Sequence, residues 1–206
     1  MNILLYILFI ILMLILAFFT YWRLWFLRDP ERAAPKGRNI VSPADGKILK
    51  VANIKKPIVK VDKGFIGKIY TATKDVASET KLVAIFMSPL DVHYNRAPIE
   101  GKVISVKHTK GKFFAANKLE ESLQNEKNEI VIQNKEIGKV KVIQVAGFLA
   151  RRVICYVHKN QNVIKGDKIG LITLGSQCII IMPKKVKLSV KEGQQVYAGT
   201  TIIGEY

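Results

Sequence analysis

The chain has 206 residues, with 33 Lys and Arg against 16 Asp and Glu, a formal net charge of +17 and 49% hydrophobic residues. That apolar content excludes a disordered basic tail, and the length suits one domain with an appendage. Two cysteines and three histidines exclude a disulfide framework and a Cys-rich zinc site, while the charge calls for a polyanionic partner, either nucleic acid or an anionic membrane.

No charged side chain precedes Arg23, and every residue from Ile3 to Phe19 is apolar or aromatic. A helix from Ile3 to Trp22 would be about 30 Å long, the thickness of a bilayer core. Tyr21, Trp22 and Trp25 follow as an interfacial aromatic belt. A cleaved signal peptide fits less well, because there is no basic leader, the apolar run is long and no small-x-small site follows it. Arg23, Arg28, Arg32, Lys36 and Arg38 all follow the span, so the positive-inside rule places the remainder in the cytoplasm. Reduced Cys155 and Cys178, read as small core hydrophobes, suit that compartment.

The sequence divides into an anchor over 1–27, a juxtamembrane linker over 28–41 containing Pro30, Pro35 and Gly37, and a β domain over 42–206. Strands are expected at Ile58–Val61, Lys81–Met87, Gly101–Val106, Lys139–Val145, Arg151–Val157, Ile169–Thr173, Cys178–Met182, Lys187–Val190 and Thr200–Ile203. Asn117–Lys127 alone has helical composition. Two internal similarities stand out. Pro43–Val51 and Pro98–Val106 share the pattern P-x-x-G-K-(I/V)-x-x-V, and Val163–Gly170 resembles Val190–Gly199. Paired patterns of this kind resemble the barrel-sandwich hybrid of lipoyl and biotinyl carriers, so the expected fold is mainly β, barrel-sandwich-like, behind one transmembrane helix. No convincing modifiable lysine sits at a hairpin tip, which counts against a carrier.

Three segments could carry chemistry. Ser42-Pro43-Ala44-Asp45-Gly46 is a turn with a carboxylate at the lip of a strand. Ser88 to Pro98 follows an apolar run and packs Asp91, His93, Tyr94, Asn95 and Arg96 into six positions. Gly175-Ser176 interrupts the apolar stretch from Ile169 to Pro183, as a bulge or close backbone approach would. Asp, His and Ser in separate β segments are the parts of a nucleophilic triad, yet there is no Gly-x-Ser-x-Gly elbow. No two histidines have ligand spacing, so no metal is expected.

These segments, with Phe26–Arg32, Asn95–Pro98, Phe113–Asn117, Asn125–Glu129, Ala146–Arg152 and Gly166–Ser176, resemble phosphatidylserine decarboxylase proenzymes of the short, membrane-anchored type, in the family's order. The resemblance implies self-cleavage between Gly175 and Ser176 into chains 1–175 and 176–206, which stay together as a heterodimer, and conversion of Ser176 to a pyruvoyl cofactor. It implies Ser176 as nucleophile, with Asp45 as orienter and His93 as base, and His93 again as the acid in decarboxylation of phosphatidylserine to phosphatidylethanolamine through a Schiff base. Longer members carry a second histidine where this chain has Arg96. Arg96, Phe113, Phe114, Arg151 and Arg152 are candidates for substrate binding. The expected partners are an anionic phospholipid and its membrane, with no nucleic acid, and oligomeric state stays open. Archaetidylserine offers the same serine head, and a non-catalytic membrane-anchored adaptor is the competing class.

Overall fold

The computed structural model describes residues 3–55, 75–111, 125–147, 152–173 and 176–206. The expected strand at 58–61 and most of the expected helix at 117–127 lie outside these residues. Of that helix, Lys127 belongs instead to a strand, Lys127–Asn134.

The apolar start forms α1, Ile3–Thr20, followed by a wider π-helical turn, Tyr21–Phe26. Ile3–Phe26 is long and apolar enough to cross a membrane, and none of its most apolar stretch is buried against protein. The one buried side chain is Phe26, at its end.

The rest of the described chain is β. In order come β1 (Asn39–Val41), β2 (Gly46–Ile54), β3 (Thr80–Met87), β4 (Tyr94–Arg96), β5 (Gly101–Thr109), β6 (Lys127–Asn134) and β7 (Gly138–Val145). They are followed by β8 (Val153–Cys155), β9 (Asn162–Val163), β10 (Lys168–Ile172), β11 (Ser176–Pro183), β12 (Lys187–Leu188), β13 (Gln195–Val196) and β14 (Ile202–Glu205). The main sheet is antiparallel and runs β13-β2-β3-β11-β7-β6-β5-β9, curled as half a barrel. Two small sheets, β1-β14-β12 and β4-β10-β8, complete the domain.

Side chains alternate across a strand, and the central strands bury both faces. Cys178, Ile180 and Met182 of β11, Val83, Ile85 and Met87 of β3 and Val140 and Val142 of β7 enter the large core. Their neighbours Ile179, Ile181, Leu82, Ala84, Ile143 and Val145 form a second cluster on the opposite face. A strand buried on both faces reads as an unbroken apolar run, which is why β11 is so evident in the sequence. The same alternation directs Ser176 of β11 and Gln144 of β7 toward the large core.

The first sequence repeat is a structural duplication. Gly46 and Gly101 each open a strand in the left-handed region, at φ 141° and 153°. A Cβ at Gly46 would collide with the Phe86 carbonyl, and one at Gly101 with the Gln133 carbonyl, so only glycine fits. Two residues on, each strand bulges, between Ile48 and Lys50 and between Val103 and Ser105. Ile48 exchanges bonds with Gln194 and Gly193, as Val103 does with Gln161 and Asn160. The halves β13-β2-β3-β11 and β9-β5-β6-β7 are therefore pseudo-equivalent.

The second repeat needs a new register. Gly193 is matched by Asn160, both at positive φ, and Gly199 by Gly166. The Gly199 amide bonds to Ser42 as the Gly166 amide does to Ala97. The resemblance of Val163–Gly170 to Val190–Gly199 sets Gly166 against Gly193 instead, because asparagine supplies the left-handed turn in one half, where glycine supplies it in the other.

Of residues 28–41, expected as a linker, 28–36 have no regular secondary structure but are tied to the domain by side chains. Residues 39–41 form β1, antiparallel to β14.

Candidate active site

Ser176 opens β11 opposite Met87, the last residue of β3, and is fully buried. Its Oγ lies 3.5 Å from the Met87 Sδ, a weak acceptor. The Asn95 amide nitrogen reaches the same sulfur at 3.8 Å. From Asn95 a buried amide chain continues: Gln144 Nε2 donates to Asn95 Oδ1 at 2.9 Å, and Asn128 Nδ2 donates to Gln144 Oε1 at 2.9 Å. Gly170 makes room for this chain, since a Cβ there would strike the Gln144 amide. Gln144 was not expected at the site. Its signal was a lone polar residue on the core face of an apolar strand.

His93 sits in the loop between β3 and β4 and is fully buried. Its carbonyl accepts from the Ile172 amide at 3.3 Å, which fixes the loop to the end of β10, just before Ser176 in the chain. Nδ1 lies 2.8 Å from the Asp91 carbonyl. A carbonyl only accepts, so Nδ1 carries the proton and Nε2 presents a lone pair. That Nε2 is buried without a hydrogen-bond partner. An unpaired buried polar atom costs about 1–3 kcal/mol, and a place in chemistry is one of the few explanations for tolerating it. Phe26 covers the ring at a centroid distance of 4.2 Å.

Burial pushes the His93 imidazole down to about 4, against the smaller opposing pull of the Asp91 carbonyl and of the Asp91 and Asp45 charges. At neutral pH His93 is thus a neutral base. The unfolded chain binds a proton near pH 6.5, and the folded chain only near pH 4. Stability is complete above 6.5 and is lost as pH falls through that window, by about 3 kcal/mol. Urea denaturation in detergent at stepped pH should show this loss in the native chain and a smaller one in His93→Gln. Equal losses in both would refute the assignment.

Asp45 is 4% exposed, but it does not orient His93. Arg32 grips its carboxylate in a bidentate pair, with Nη2 to Oδ2 at 2.8 Å, and the Ala198 amide donates to Oδ1 at 2.7 Å. Arg32 Nη1 also donates to the Ala198 carbonyl at 2.8 Å. The imidazole is oriented by the Asp91 main chain instead, and Asp45 acts on it through charge. Arg32 was missed as a site residue, although it closes the Phe26–Arg32 motif.

Arg96, expected at the substrate, is committed elsewhere. It donates to Asp29 at 2.6 Å and to the Gly166 carbonyl at 2.9 Å, and Lys168 bridges the other Asp29 oxygen at 2.8 Å. Arg152 is exposed, and its carbonyl accepts from the Thr173 amide at 3.3 Å, which places its backbone beside the strand that leads to Ser176. Gly175, Phe113, Phe114 and Arg151 lie outside the described residues. Cys178 is buried, which raises its thiol pKa and keeps it inert.

Comparison with known proteins supplies the context for this site. Residues 18–204 match the family described as phosphatidylserine decarboxylase. A phosphatidylserine decarboxylase proenzyme of Chlorobium phaeobacteroides is 43% identical over 184 residues, covering 89% of this chain and 78% of the relative. One from Syntrophus aciditrophicus is 35% identical over 188 residues, covering 91% and 81%. A relative from Methanocaldococcus jannaschii, whose name carries archaetidylserine decarboxylase proenzyme, is 40% identical over 180 residues, covering 87% of each chain.

Proposed function

The chain belongs to the phosphatidylserine decarboxylase family, and from that premise we propose that it cuts itself after Gly175 and decarboxylates phosphatidylserine with a pyruvoyl group made from Ser176. The observation that carries this reading is the buried, neutral imidazole of His93. Its Nε2 lone pair is unclaimed, and its loop is bonded to the strand end that precedes Ser176.

In this reading, His93 Nε2 takes the Ser176 hydroxyl proton as Oγ attacks the Gly175 carbonyl carbon. The Gly175–Ser176 C–N bond breaks, the freed nitrogen takes the proton from His93, and the peptide becomes an ester. Removal of the Ser176 α-proton then expels residues 1–175 as a carboxylate. The dehydroalanine left behind takes up water and loses ammonia, leaving a ketone at the head of 177–206. The amide chain from Asn95 to Asn128 holds Met87 and keeps the Ser176 side of the core ordered. The two products remain one molecule, because β11 is hydrogen-bonded on both sides to strands of the larger piece, β3 and β7.

The pyruvoyl ketone supplies an electron sink for the substrate's amine-bearing carbon as carbon dioxide departs. His93 takes a proton from the incoming serine ammonium and later returns it to the carbon that has lost its carboxylate. A site that depresses the imidazole pKa makes the protonated ring a strong donor, and the Asp45 charge stabilises it meanwhile. One histidine then serves both steps, without the second that Arg96 replaces. In this reading the exposed Arg152 binds the phosphodiester, whose geometry a guanidinium matches.

The N-terminal helix anchors the chain in the cell membrane, with the basic domain on the cytoplasmic side, where each Lys or Arg near anionic lipid adds about 1 kcal/mol of attraction. Intact-mass measurement followed by borohydride reduction with phosphatidylserine vesicles tests the reading. The expected result is two chains, with the smaller gaining the mass of the lipid. A single uncut chain in active material would sink it. The archaeal relative's name favours a second substrate, and faster turnover of archaetidylserine in direct competition would assign the ether lipid instead.

A further inference from the structure

The turn at the membrane end of the chain makes direct contacts with the loop that carries His93. The Tyr21 hydroxyl donates to the Pro89 carbonyl at 2.7 Å. Arg28 donates from Nη2 to the Leu90 carbonyl at 2.6 Å and from Nη1 to the Trp25 carbonyl at 2.7 Å, and its guanidinium lies 4.4 Å from the Trp25 ring centre. Trp22 stacks on Phe26 at 4.6 Å, and Phe26 in turn covers His93. Aromatic residues at the end of a span mark the headgroup level. A hydrogen bond from Tyr21 therefore puts Pro89 at the same depth.

The loop itself is built for that depth. Its four carbonyls are all engaged: Ser88 by the Asp91 amide, Pro89 by Tyr21, Leu90 by Arg28 and Asp91 by His93. The half-buried Asp91 carboxylate is held by the Ser88 amide at 2.7 Å and by the Gln195 side chain at 3.1 Å. Leu90, at the tip, is 65% exposed, in line with Leu24 at 72% and Trp25 at 50%. Satisfied carbonyls beneath an exposed apolar side chain are what entry into a bilayer demands.

We propose that the Ser88–Asp91 loop is a second membrane contact, with Leu90 seated at the boundary of headgroups and acyl chains, so that the bilayer sets the depth of His93 through the Asp91 carbonyl. The occupant is the bilayer that holds α1, because the patch is continuous with that helix through Tyr21, Trp25 and Arg28. The inference rests on the anchor reading of α1, and the decisive experiment separates the two.

In a Cys155→Ser background, with fully buried Cys178 retained, single cysteines at Ile10 and Leu90 carry an environment-sensitive fluorophore. The full chain is reconstituted in vesicles of phosphatidylserine and phosphatidylcholine that contain a nitroxide lipid quencher. Quenching at both positions, with a shallow quencher the more effective at Leu90, is the expected result. Quenching at Ile10 but not at Leu90 overturns the loop contact and leaves the anchor standing. Quenching at neither overturns both. Shielding at Leu90 that grows with protein concentration, without lipid quenching, would assign the surface to a second copy and overturn the proposal. As a second readout, Leu90→Asp should lower the ratio of kcat/KM on vesicles to kcat/KM on short-chain, water-soluble phosphatidylserine by about tenfold. Leu90→Ile should preserve that ratio. An unchanged ratio in Leu90→Asp counts against the proposal.

Discussion

Ser176→Ala is expected to purify as one intact chain, to stay intact on prolonged storage and to form no product from phosphatidylserine. The loss is complete because a single oxygen serves twice, first as the nucleophile of the acyl shift and then as the leaving group whose departure opens the way to the ketone. The fold should survive the change. The hydroxyl approaches the Met87 sulfur at 3.5 Å, and a weak bond of that type is worth about 1 kcal/mol or less. The main-chain pairing of β11 with β3 and β7 involves no side chain at this position. A denaturation midpoint close to that of the native chain, together with an uncut mass, is therefore the predicted pair of observations. Ser176→Cys should recover partial cleavage, since a thiol undergoes the same shift to a thioester. Cleavage of Ser176→Ala at the same bond would show that another group attacks Gly175, and the roles given to Ser176 and His93 would both fall.

The sequence shows the parts of this site more clearly than their connections. Asp45, His93 and Ser176 are conspicuous because polar residues interrupt apolar β runs, and alternation alone directs Ser176 into the large core. The hydrogen-bond partners are less visible. His93 is oriented by a main-chain carbonyl, which every residue possesses, so no side chain advertises it. Asp45 is held by Arg32, thirteen positions upstream in a stretch whose prolines and charges look like a tether. Its ordering comes from long-range pairing, Arg32 with Asp45 and Asp29 with Arg96 and Lys168, and local composition does not report such contacts. For the fold, α1 and the doubly buried strands β3, β7 and β11 stand out. Strand β6 does not, because it opens on Lys127, Asn128 and Glu129, a polar start beside a helix-like stretch. The duplication around Gly46 and Gly101 is legible because the clash that a side chain would cause is the same in both halves. Its partner repeat slipped because two residue types meet one backbone requirement. Glu100 is the pseudo-equivalent of Asp45, yet Arg38, not a histidine, occupies the place that corresponds to His93.

Arg32→Met is the second large effect. The pair it breaks is buried on both sides, with side-chain exposures of 11% for Arg32 and 5% for Asp45. Methionine fills much of the same volume but leaves the Asp45 carboxylate with the Ala198 amide as its remaining donor. An uncompensated buried charge of this kind costs about 3–5 kcal/mol. Arg32→Lys keeps the charge but loses the planar fork that meets both carboxylate oxygens and the Ala198 carbonyl together, so it should recover only part of that stability. The double variant Arg32→Met with Asp45→Asn should be less unstable than the two single losses added, because no charge is then stranded. Strictly additive losses would mean that the two side chains are not coupled. A structural clamp alone predicts that self-cleavage follows stability through this series. If Arg32 also holds the Asp45 charge where it favours protonated His93, cleavage should slow in Arg32→Met even at temperatures where the chain stays folded. The cleavage rate should then recover further in Arg32→Lys than stability does, since a cation with one bond still fixes the carboxylate. Intact-mass time courses beside urea denaturation separate the two outcomes. Cleavage at the native rate in folded Arg32→Met would confine Arg32 to tying the juxtamembrane strap to the domain.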